Sequence, residues 1–272
     1  MRATYHNHSV FSDGKATIAE LVAAAAAMGI DELGVSDHLT LHPSGVTPGW
    51  SMRTDDIPAY FQQLQLASAP SGSSTPTIRS GLEIDFFPTQ IEAIRAVLRN
   101  LPLDYVIGSV HYVGEFVVDS SPEPWSRLTP DEREQVHREY WAHVRAMAQN
   151  RLFDIAAHLD LPKKFGYFAR GDLNREIGAA LDAIAEAGMV VELNTAGWHK
   201  PCADAYPSLD ILRECRRRDI RATLSADAHQ PEHLLRDFDR GLARLADAGY
   251  EWIARFAGRE VVLEPLADAS PT

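Results

Sequence analysis

The 272-residue sequence predicts an α/β fold in which short parallel strands, joined by crossover helices, close into a barrel. Two observations carry that prediction. Short apolar runs alternate with longer helical patterns along the whole chain. Strand after strand also ends in a polar side chain able to bind metal, the pattern expected of a barrel's carboxyl-terminal rim. Alternation alone would fit an open sheet as well; seven or eight strand–helix units favour closure. With 45% hydrophobic residues the chain has enough apolar matter for a well-buried core.

Strands are predicted at 3–8, 33–38 (LGVSDH), 78–87 (IRSGLEIDFF), 104–112 (DYVIGSVHY), 153–160 (FDIAAHLD), 189–197 (MVVELNTAG) and 221–229 (RATLSADAH). A late strand is expected at 260–266 (EVVLEPL). Helices are expected near 17–28, 55–68, 88–100, 130–150, 172–187, 208–218 and 231–248. Thr17, Thr129 followed by Pro130, and Pro207-Ser208 supply helix starts, while Gly29, Gly188 and Gly249 fall where helices should end. The stretch SAPSGSSTPT (68–77) reads as a surface loop, and 113–128 as a second long loop. A single domain is expected over 1–272, with a frayed tail from about 267.

The formal charge of −12 argues against binding long nucleic acid, which needs a basic footprint. An acidic protein still accepts an anionic small molecule where metal ions supply local positive charge. Cys202 and Cys215 form no CxxC pair and read as reduced thiols of a cytoplasmic protein. No signal peptide is visible, and no apolar run reaches the roughly 20 residues of a membrane span.

The polar strand ends are the informative feature. The first predicted strand ends in His6 and His8, the second in Asp37-His38 and the third in Glu83. The fourth ends in His111, the fifth in His158, and the seventh in Asp227 and His229. Side chains at i and i+2 share one strand face, so HNH and DAH can each direct two donors at one ion. A lone histidine after a strand is usually structural; this many donors at one end of successive strands is not. His6, His8, Asp13, His38, Glu83, His111, His158, Asp227 and His229 make nine candidates, enough for two or three ions, Glu83 being placed to bridge a pair. A mixed nitrogen and oxygen set without thiolates suits zinc, manganese or iron. Such a pair of ions would clamp a phosphoryl oxygen. His137 and His143 lie inside the long helix and are expected to be structural, and His42 and His233 are weak candidates.

The segments HNHSVFSDG, SDH, GLEID, GSVH, HLD, ELNTAG and SADAH together resemble the polymerase and histidinol phosphatase (PHP) superfamily, in particular its histidinol-phosphatase branch. The resemblance runs from about residue 4 to 235. It implies a distorted (β/α)7 TIM-like barrel with a trinuclear metal site. Carried onto this sequence, it implies that His6, His8, Glu83 and Asp227 hold one ion, Glu83, His111 and His158 a second, and Asp13, His38 and His229 a third. The implied activity is hydrolysis of L-histidinol phosphate to L-histidinol and phosphate, a step of histidine biosynthesis. A metal-bridging hydroxide is the expected nucleophile, and catalytic roles are expected of Asp13, Glu83, Asp227 and His229.

Substrate contacts are expected from Lys163, Lys164, Lys200 and His199. Glu115 or Asp119 would meet the ammonium, and Trp125 or Trp198 would pack on the imidazole. Arg170 and Arg255 are weaker phosphate candidates. The segment Phe116-Val117-Val118-Asp119 matches the family's aspartate-bearing aromatic loop only loosely. The expected partner is therefore a small phosphorylated metabolite. Two other readings compete: a PHP phosphoesterase acting on nucleotides or other small phosphate esters, and a non-catalytic metal-binding module.

Overall fold

The computed structural model of the chain describes residues 2–69 and 75–266; the tail expected to fray from about 267, and part of the 68–77 loop, lie outside the described residues. Local sequence sets the helix starts. Thr17 and Thr129 each accept a hydrogen bond from the backbone three residues on, and Glu20 and Glu132 each accept one from the cap backbone N–H. These are capping boxes, each satisfying two backbone donors that a helix start otherwise leaves free.

In chain order the strands are β1 (Ala3–Thr4), β2 (Glu32–Val35), β3 (His38–Leu39), β4 (Thr77–Ser80), β5 (Glu83–Asp85), β6 (Ile107–Ser109), β7 (Tyr112–Val113), β8 (Phe116–Val117), β9 (Ile155–Ala156), β10 (Val190–Asn194), β11 (Ala222–Ser225), β12 (Trp252–Ala257) and β13 (Glu260–Pro265). The helices are α1 (Ile18–Ala27), α2 (Ile57–Ala67), α3 (Ile91–Leu98), α4 (Pro122–Arg127), α5 (Pro130–Gln149), α6 (Asn174–Ala187), α7 (Leu209–Arg217) and α8 (Phe238–Asp247).

Pairing β1 with β2, β2 with β4, β3 with β5, then β5, β6, β9, β10 and β11 in turn gives a parallel succession throughout. Two of its rungs are broken: β2 runs into β3 across Ser36-Asp37, and β4 into β5 across Gly81-Leu82. The ends meet at a parallel bridge between Asn7 and Ala228, where His8 N donates to Ala228 O at 2.8 Å and Ala228 N to His6 O at 3.2 Å. The result is a closed, distorted TIM-like α/β barrel of seven parallel rungs.

Three segments depart from the sequence reading. The 260–266 strand joins no barrel rung; it pairs antiparallel with β12, which the sequence reading missed. This hairpin covers the amino-terminal end of the barrel, with the Phe256 ring centroid 5.2 Å from Tyr5 and 5.9 Å from Tyr105. The 113–128 loop contains the β7–β8 hairpin and α4. The last helix begins only at Phe238, after a separate 3-10 turn at Pro231–His233.

Arg255, a weak phosphate candidate, lies on the covering hairpin and binds Glu32 at 2.6 Å and Glu264 at 2.9 Å, away from the carboxyl-terminal rim. Arg170 is exposed. No helix among the described residues is long and apolar enough to cross a membrane.

Tyr105 fills the barrel interior and donates its hydroxyl to Tyr5 O at 2.5 Å. Its ring explains glycine on two adjacent rungs. A methyl group on Gly81 would stand 2.2 Å from Tyr105 Cζ, and one on Gly34 2.3 Å from the hydroxyl oxygen. Gly81→Ala is therefore expected to lower the unfolding free energy by about 1–3 kcal/mol, the usual cost of overpacking. Urea denaturation reads this directly, and an unchanged midpoint would refute the packing argument.

Candidate metal centre

Strand alternation brings the first donors together. His6 and His8 flank the bridging Asn7 and are completely buried. His6 Nε2 lies 3.0 Å from Glu83 Oε2 and 3.6 Å from Asp227 Oδ1; His8 Nε2 lies 3.5 Å and 3.2 Å from the same two atoms. A tetrahedral ion with bonds of about 2.0–2.1 Å spaces its donors about 3.3–3.4 Å apart. All four atoms are buried without a hydrogen-bond partner. Leaving such atoms unpaired costs roughly 1–3 kcal/mol each, and one shared cation would satisfy them together. Asp227 reaches this position through a left-handed backbone, φ 53°, a strained conformation of the kind found at functional sites.

Glu83 divides its two oxygens. Oε2 faces His6, His8 and, at 2.8 Å, His38 Nδ1. Oε1 accepts from the Ser109 hydroxyl and lies 3.0 Å from His158 Nε2 and 3.7 Å from His111 Nε2. On the open side Asp13 Oδ1 stands 3.3 Å from His229 Nε2 and 3.7 Å from His38 Nε2. The His38 and His229 rings stack on His8, at centroid distances of 4.2 and 4.3 Å. His6, His8, Asp13, His38, Glu83, His111, His158, Asp227 and His229 thus meet in one basin, and donor atoms of His8, Asp13, His38 and His229 all lie within 4.8 Å of one another.

A layer of carboxylates behind the basin escaped the sequence reading. Glu192, inside β10, takes the His6 Nδ1 proton at 2.7 Å and accepts from His158 N at 2.7 Å. Asp85 lies 2.8 Å from His111 Nδ1 and accepts from the Thr40 hydroxyl at 2.6 Å. Asp37 is no donor to the basin; it accepts from the backbone and hydroxyl of both Ser9 and Ser12, shaping the loop that carries Asp13. The available signal was alternation: Asp85 is two residues from Glu83, and Glu192 is a lone carboxylate in the apolar run MVVEL.

Burial alone would favour neutral acids, yet neighbouring imidazoles hold Glu83 and Asp227 well below the usual carboxylate range. Burial, with His38 and His229 alongside, pushes His8 down to about 3. For His111 burial acts downward, but Asp85, Asp119 and Glu83 outweigh it and bring the imidazole up to about 10. His229 rises to about 9, its burial outweighed by Asp13 and Asp227.

The basin opens into a cavity of about 530 Å³, lined in part by Trp50, Lys164, Lys200, Tyr206 and Arg236. Lys164 and Asp119 both reach the cavity, but they bind each other at 3.1 Å. Lys200 lines it, as does Arg236, which the sequence reading missed; neither makes an ion pair among the described residues.

The remaining expected substrate contacts lie elsewhere. Lys163 is buried beneath the site, 2.9 Å from both Asp160 and Asp204. The Leu161–Lys163 turn is 3-10 helical, so consecutive lysines point roughly 120° apart. His199 turns outward to Asp237. Glu115 is exposed in the turn between β7 and β8. Trp125 is a core residue donating to Val118 O at 2.8 Å, and Trp198 is buried beneath Arg240. The helical histidines are structural: His137 bonds Tyr167 O and His143 bonds Glu139 O, each at 2.8 Å.

Two outcomes follow from this geometry. Glu192→Gln weakens the acceptor that orients His6, so divalent-metal affinity is expected to fall about 10–100-fold; chelator competition measures it, and unchanged affinity would remove Glu192 from that role. Metal uptake at pH 7–8 should release protons, because His111 and His229 must lose theirs to become donors. Affinity therefore weakens as pH falls. Titration calorimetry in buffers of different ionisation enthalpy checks this, and uptake without proton release contradicts it.

Comparison with known proteins places this arrangement. The family model described as PHP domain matches residues 4–196. A curated protein of Deinococcus radiodurans named "Probable histidinol-phosphatase" is 36% identical over 230 residues, covering 85% of this chain and 86% of its own. The "Histidinol-phosphatase" of Lactococcus lactis is 26% identical over 265 residues, 94% of this chain and 95% of its own. A crystal structure of the histidinol phosphate phosphatase of Lactococcus lactis, complexed with zinc, L-histidinol and phosphate, superposes with a TM-score of 0.81 at 25% identity, covering 96% of this chain and 98% of that one. A family match that starts at the first donor strand and continues through β10, with a relative aligned along most of both chains, establishes that this chain belongs to the PHP domain family.

Proposed function

We propose that this protein is a metal-dependent phosphomonoesterase that hydrolyses L-histidinol phosphate to L-histidinol and phosphate. The observation that carries the chemistry is Glu83, whose two oxygens face two separate groups of imidazoles. The substrate assignment is supported by relatives named for histidinol phosphatase activity, one aligned over 85% of this chain.

In this reading two or three divalent ions occupy the basin. His6, His8, Glu83 and Asp227 hold one, Glu83, His111 and His158 a second, and Asp13, His38 and His229 a third. Zinc, which the Lactococcus lactis structure contains, suits the donor set, as do manganese and iron. Bound there, the ions would supply a nucleophilic hydroxide near neutral pH and polarise the phosphoryl oxygens.

The chain's own side chains do the rest. Lys15, Lys200 and Arg236 are the cavity cations without an ion-pair partner among the described residues, placed to balance a phosphoryl dianion; only Arg236 offers a bidentate fork. Glu192 and Asp85 fix the tautomers of His6 and His111. Asp13, despite its partial burial, is held below the usual carboxylate range by His229 and His38. A charge of −12 and two free thiols suit a cytoplasmic enzyme of small phosphate esters and not of long nucleic acid.

Steady-state assays on metal-loaded protein test the reading. The expected kcat/KM for L-histidinol phosphate exceeds that for nucleoside monophosphates by at least about a hundredfold, a margin that differential contacts in one pocket can supply. An equal or lower value sinks the assignment.

A further inference from the structure

The proposed substrate ends in a planar ring, and neither tryptophan expected to receive it is available. Trp125 and Trp198 are buried, as is Trp141; Trp252 is on the hairpin at the far end of the barrel. Trp50 is the one of the five tryptophans that lines the cavity.

Its position is built by the chain that follows it. Thr40 N donates to Ser51 Oγ at 2.8 Å, and Met52 N donates to His38 O at 2.9 Å. These bonds pin residues 51 and 52 against β3, so the residue before them must stand over His38. The Trp50 ring centroid is 4.9 Å from that of His38 and 5.9 Å from that of His111, with interplanar angles of 77° and 76°. Tyr112 backs the indole, 6.5 Å away and only 25° from parallel. Tyr112 is itself wedged between Phe87 and His42, at 5.1 and 5.2 Å. The indole is therefore a fixed plate at the rim of the donor basin.

We propose that Trp50 is a specificity-determining residue whose indole receives the planar ring of the substrate. The inference rests on the phosphomonoesterase reading above. A phosphoryl group at the donor basin would leave the imidazole five bonds from phosphorus, a reach of about 6 Å. That carries the imidazole past the His38 and His111 rings toward the rim, where the indole stands 4.9 and 5.9 Å from them. Offset or edge contacts between aromatic rings favour such a complex beyond simple burial. Selection then acts on the shape of the alcohol, separately from the phosphate.

The test compares wild type, Trp50→Ala and Trp50→Phe on two substrate pairs. One pair is L-histidinol phosphate and L-alaninol phosphate, which lacks the ring. The other is 3-phenylpropyl phosphate and propyl phosphate, with the ring as far from phosphorus as in histidinol phosphate, which reports on Trp50 even if histidinol phosphate proves not to be the substrate. Trp50→Ala is expected to lower kcat/KM for the ring-bearing member of each pair about tenfold, chiefly through KM, with Trp50→Phe restoring most of it. The ring-less members should change less than about twofold, and metal content should not change. Equal losses on both members of a pair, lost metal, or no effect at all would overturn the proposal. Wild-type protein inactive on L-histidinol phosphate but ring-selective through Trp50 would overturn the substrate assignment alone.

Discussion

Everything at the carboxyl-terminal rim depends on one contact, the parallel bridge between Asn7 and Ala228. It joins the first rung to the last and so brings His6 and His8 beside Asp227 and His229. Asn7 is itself fully buried and donates its side-chain amide to Gly34 O at 2.8 Å, tying the bridge to the second rung. The bridging residues thus serve the sheet while the residues on either side serve the basin. Loop-closure entropy grows only slowly with chain length. Joining segments some 220 residues apart therefore costs little more than joining near neighbours, provided the intervening rungs are already paired.

The basin also shows why acidic residues outnumber its obvious needs. An imidazole that faces the centre with one nitrogen has a second one to place. For His6 and His111 a buried carboxylate does so, fixing which nitrogen is free. Asp37 spends its oxygens on four donors of the Ser9–Ser12 turn and so holds the approach of Asp13. Ligand direction is therefore set one layer out, by groups that never touch the cavity.

What could be read from the sequence follows from how strands differ from loops. His6, His8, Glu83, His111, His158, Asp227 and His229 lie on or just after strands, whose alternation fixes side-chain direction, and their convergence was legible. Glu192 was legible in principle, as a carboxylate alone in an apolar strand. Lys163 and Lys164 were not separable, because a 3-10 turn sends neighbours in different directions and only the fold decides which meets Asp160 and Asp204. His199 looked like a cavity residue until Asp237, far along the chain, drew it outward. Trp50 lies in a loop of Gly, Pro and Ser, where periodicity says nothing. The β12–β13 hairpin was half seen, since β12 reads as ordinary alternation after a helix.

That hairpin has a consequence for how the chain is made. Tyr5 and Tyr105 are covered by Phe256, and Glu32 is neutralised in part by Arg255. A ribosome delivers these two partners after every rung of the barrel. Through most of synthesis the nascent chain carries an open barrel floor, with apolar rings and a carboxylate exposed to whatever else is present. Contacts between residues so far apart in sequence form slowly, and such unfinished intermediates are prone to aggregate. The hairpin therefore closes the barrel floor only after all seven rungs have been made.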